Sequence, residues 1–85
     1  MTPDKHITDR RTAAQAEEAR MAALKAEIAV TFARIDALKA EMDAWYAAGR
    51  TQRFPHYATL AALEVRLSAL DSEFKQLWDA HHARR

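Results

Sequence analysis

Large apolar residues recur in alternating steps of three and four on both sides of one short break, and no other feature constrains the fold of this chain as much. Before the break they are Met21, Leu24, Ile28, Ile35, Leu38, Met42 and Trp45, with Thr31 filling the single gap. After it they are Leu60, Leu63, Leu67, Leu70, Phe74 and Leu77, and His81 stands at the next position. Such steps place side chains on one stripe of an α-helix, and alternation sustained over several heptads is the seam of a coiled coil. The break runs from Gly49 to Pro55. Gly enters the left-handed conformation that ends a helix without steric cost, and Pro suits the first position of the next one.

Two seams joined by so short a connection predict an antiparallel helical hairpin with coiled-coil-like packing, an all-α single domain over residues 1–85. The expected boundaries are a first helix over about 8–48, a connection over 49–54 and a second helix over about 55–82. The start signals Thr2-Pro3-Asp4 and Thr12 with Gln15 bracket the first helix's beginning. Antiparallel pairing requires the numbers of facing residues to sum to a constant. They do so closely from Trp45 with His56, through Met42 with Leu60, Leu38 with Leu63 and Ile35 with Leu67, down to Met21 with His81. The first helix is the longer, so an overhang at roughly residues 5–20, with Arg10, Arg11, Glu17, Glu18 and Arg20, is expected to be solvated, frayed or docked on another chain.

Composition removes several function classes. With no cysteine, neither a disulfide framework nor a thiolate metal site holds the core. Net charge is +1, so no global field demands nucleic acid or an acidic membrane. Charges interrupt every apolar stretch well short of a membrane span. Met1-Thr2-Pro3-Asp4-Lys5-His6 lacks the apolar core of a secretory leader, and a cytoplasmic location is expected. His6, His56, His81 and His82 show no metal-ligand spacing, no phosphate loop is present, and no nucleophile stands beside a base. No metal, no cofactor and no catalysis are expected.

What a hairpin leaves uncovered then becomes the question, because one stripe per helix is a thin core for a chain of this size. One further surface is the line Ala19, Ala26, Ala33, Ala40 and Ala47, with Ala16, Ala23, Val30, Ala37 and Ala44 beside it. It reads either as a second helix-packing face or as alanine used for helix propensity. The other is the flank carrying Lys25, Phe32, Lys39 and Tyr46 from the first helix and Tyr57, Glu64, Asp71 and Trp78 from the second. Lys39 falls opposite Glu64, Lys25 opposite Trp78 and Tyr46 opposite Tyr57. These side chains either widen the core, with a cation-π contact at Lys25 and Trp78, or form a patch for a protein partner; Phe32, Tyr46, Tyr57, Trp78, Lys25 and Lys39 are the candidate partner-binding residues. On the opposite flank Glu27 falls level with Glu73 and Arg34 with Arg66, like charges that a second copy could relieve.

The resulting expectation is a non-catalytic helical-hairpin interaction module that completes a bundle by self-association or by docking on a partner, as an assembly adaptor or a small inhibitor of phage or mobile-element type does. The runner-up is a nucleic-acid-binding hairpin: Arg50, Arg53 and Phe54 at the connection, with Arg84 and Arg85 at the far end, combine phosphate forks with an aromatic ring for stacking. A structural component of a virion or other assembly is the third class. In architecture, the short antiparallel hairpin with layered seams resembles the Rop class of dimeric four-helix bundles, which implies a dimer and an RNA- or DNA-binding role; no residue role is carried over from it.

Overall fold

The computed structural model describes the backbone of residues 4–83, and side chains from residue 11 to 83. It is a two-helix antiparallel hairpin, α1 (Asp4–Ala47) and α2 (Tyr57–Ala83), drawn out into a rod of 73 × 17 × 16 Å. Along α1 the residues that leave solvent are Met21, Leu24, Ile28, Thr31, Ile35, Leu38, Met42 and Trp45, which is the predicted stripe; Glu27, beside it, is half-buried. Along α2 they are Leu60, Leu63, Leu67, Leu70, Phe74, Leu77 and His81, with Ala61, Glu73 and His82 half-buried beside them. Ile35, Leu60 and Leu63 form a buried cluster with Leu38, Met42 and Leu67 packed on it, so three of the expected facing layers meet in the half of the rod nearer the turn. The alanine line on the back of α1 is exposed throughout.

The boundaries shift slightly from those the sequence predicts. α1 is already helical at Asp4, and Thr12 lies inside it, not at its cap. α2 is regular from Tyr57, with Pro55 and His56 in the turn that opens it; the first α-type bond, from the Leu60 N–H to the His56 carbonyl at 3.0 Å, already includes that turn. Gly49 ends α1 as expected, at φ 84°, its N–H reaching the Tyr46 carbonyl at 3.0 Å.

The overhang is shorter than expected. Arg20 pairs with Glu73 at 2.7 Å, and His81 lies 3.5 Å from Glu17, so α2 accompanies α1 down to Glu17. Glu17 and Ala14, half-buried, extend the α1 stripe by two more heptad positions. No helix among the described residues is long and apolar enough to cross a membrane.

Candidate interaction surface

The turn places most of the residues proposed for nucleic acid. Phe54, expected to offer a ring for stacking, is instead only 4% exposed. Its ring lies edge-on to Trp45 at 6.3 Å and to His56 at 5.7 Å. Its backbone N–H donates to the Tyr46 hydroxyl at 3.1 Å, and its carbonyl accepts from the Tyr57 N–H at 3.1 Å. A residue before proline is held extended, which is what turns this side chain inward between the helix ends. Trp45 completes the plug by donating its indole N–H to the Gln52 carbonyl at 2.9 Å. The two arginines lie over rings of the turn: the Arg50 guanidinium sits 4.2 Å from the Trp45 ring centre and that of Arg53 4.9 Å from Tyr57. These cation-π contacts pack the guanidinium faces onto the protein. Arg84 and Arg85 lie outside the described residues.

The two flanks of the hairpin differ. On one, Arg66 pairs with Glu27 at 3.1 Å and Arg20 with Glu73 at 2.7 Å. Glu27, Glu73 and Arg66, which stand level with like charges in the sequence register, are therefore each drawn to an opposite charge, while Arg34 is in neither pair. Arg20 and Arg66 each reach diagonally, about one heptad along the partner helix, to a glutamate. A second copy is not needed to relieve the two glutamates.

The other flank is open and aromatic. Phe32 is 59% exposed, and Tyr46, Tyr57 and Trp78 are each 46% exposed. The charge pair across it, Lys39 with Glu64, is loose at 3.9 Å, and Asp71 turns along its own helix to Lys75 at 3.1 Å. Trp78 does not take Lys25 as its stacking partner. Its ring stacks on His82 at 3.7 Å with 22° between planes, while Lys25 lines the same shallow depression. That stack is fixed from the backbone: the His82 Nδ1–H donates to the Trp78 carbonyl at 2.8 Å, since a carbonyl only accepts.

Beside this stack, His81 closes the open end of the hairpin. Its Nδ1 lies 3.5 Å from Glu17 and its Nε2 3.6 Å from Glu18, one ring reaching two carboxylates of α1. Among the described residues, no group of three or more His, Asp or Glu side chains is arranged to hold a metal ion. The depressions along the rod are shallow and open to solvent. Among the described residues, the depressions beside the turn and beside Trp78 bring no acid, base and nucleophile together over an enclosed volume.

Sequence reasoning identified the open flank but not the role of His82, which only the i,i+4 stack on Trp78 makes visible. Exposed Val65, on the back of α2, was also missed; a lone valine outside the stripe gives no signal. Compared with protein-family models, with curated proteins and with solved structures, the chain matches none of them.

Proposed function

We propose that this protein is a non-catalytic helical-hairpin interaction module whose working surface is the aromatic flank of Phe32, Tyr46, Tyr57 and Trp78, with Lys25 and Lys39 at its edge. The observation that carries this reading is the difference between the flanks. One carries two close ion pairs between the helices, while the other leaves four aromatic side chains 46–59% exposed around a loose ion pair. Exposed aromatics on a rigid helical surface are what interface centres are made of, and an adaptor, a small inhibitor or a structural subunit would each use them in the same way. The cytoplasm is the compartment this reading assumes.

The test separates protein docking from nucleic-acid binding. Protein capture by the immobilised hairpin, self-capture included, is expected to fall at least tenfold for Phe32→Ala or Trp78→Ala, both of which should stay helical. The Arg50→Ala, Arg53→Ala double variant is expected to capture as well as the parent. Strongly salt-dependent binding of a single-stranded oligonucleotide, abolished by the arginine pair and untouched by the aromatic changes, would overturn the reading in favour of the nucleic-acid one.

A further inference from the structure

We infer that the aromatic flank is covered by a second copy of this chain, packed face to face with both turns at the same end of a four-helix bundle. This rests on the reading of the flank as a docking surface and names its occupant. The argument is the way charge is sorted by helix. Along the stretch of the flank between the turn and Trp78, α1 contributes Lys25 and Lys39, and α2 contributes Glu64 and Asp71, with the aromatics between; Glu18, one heptad beyond Lys25, lies at the far end beside His81. One flank thus carries both halves of a complementary pair, which is what a two-fold interface requires, since each patch must fit itself.

Only one orientation uses that sorting. With the two-fold axis along the rod, α1 lies on α2 of the second copy. Lys39 then meets the second copy's Glu64, Lys25 meets the face of its Trp78, and Tyr46 meets its Tyr57. With the axis across the rod, α2 lies on α2. The acids Glu64 and Asp71 are then brought against each other, a like-charge juxtaposition that disfavours the arrangement. Asp36 and Asp43 on α1 stand one step further round, where charges at the rim contribute little, and Lys75 pairs with Asp71 along α2 at 3.1 Å, so Glu64 carries most of that repulsion. The thinness of the core points the same way. Among the described residues only six hydrophobic side chains are buried in the single hairpin, a thin core for a chain of this size to be firmly stable alone.

The chain has no cysteine, so one nitroxide on Thr51→Cys, exposed in the turn, reports orientation directly. Pulsed dipolar spectroscopy is expected to give a separation set by bundle width, about 20–30 Å from helix spacings of roughly 8–10 Å plus the label arms. Turns at opposite ends would instead lie about 40 Å or more apart, the length of α2, and would overturn the inference. A charge exchange supplies the second readout. Lys39→Glu should weaken dimerisation about tenfold, and adding Glu64→Lys should restore it, with helicity constant throughout. Failure of the second change to restore what the first removes contradicts the pairing. A chain that remains monomeric at high micromolar concentration, yet loses a different protein partner on Phe32→Ala, overturns the second copy alone and leaves the docking flank standing. Partner binding indifferent to those aromatics overturns both.

Discussion

Phe54 joins the two helices through a ring packed on Trp45 and His56 and a backbone bonded on both sides, to the Tyr46 hydroxyl and the Tyr57 N–H. Removing the ring leaves the turn without its plug. Phe54→Ala is therefore expected to cost about 3 kcal/mol, read from urea unfolding followed by circular dichroism. Gly49 makes a different demand. Its φ of 84° is strained for any L side chain, yet a Cβ there would meet nothing within 4 Å. Gly49→Ala should thus cost about 1 kcal/mol through the backbone alone, and D-alanine at the same position should be neutral or stabilising, a contrast that a packing clash would not produce. The glycine was legible in the sequence because a lone Gly after a periodic run has one common use. Phe54 was not, because an aromatic flanked by Arg, Gln and Pro reads as part of an exposed connection until the burial of its ring is seen.

The helices themselves were legible because a heptad seam leaves little freedom: each residue in the stripe needs a facing layer, and the chain supplies one. Leu24 has no exposed surface and Val30 is 62% exposed, so the register makes a sharp distinction between them. Leu24→Ala is expected to cost about 2–5 kcal/mol and Val30→Ala less than about 0.5, measured by the same unfolding assay. Equal effects would mean that the seam is placed on the wrong face. The pairing of charges across the flank was not legible. Summing residue numbers treats side chains as level points, whereas Arg20, Glu27, Arg66 and Glu73 reach diagonally. All four are substantially exposed, so Arg66→Ala should cost under about 1 kcal/mol, and salt should shrink even that.

The whole molecule is a rod with one flank closed by ion pairs, one left aromatic, and a stretch of α1 reaching beyond the last contact from α2. Deleting residues 1–12 removes no residue of the paired seam, which begins with Glu17 against His81, so the truncated chain should keep its unfolding midpoint. A large loss of stability on that truncation would show that the overhang packs within the fold. The central claim is that the aromatic flank becomes covered when the hairpin does its work, and Trp78 reports on it most directly. With Trp45→Phe the only indole left is Trp78, half exposed in the single hairpin. As chain concentration rises through the micromolar range, its emission should move to shorter wavelength and its quenching by acrylamide should fall, in step with a doubling of the sedimenting mass. A mass that doubles while Trp78 stays as accessible as before would contradict the account, whereas a mass that never rises would remove the second copy as the occupant of the flank.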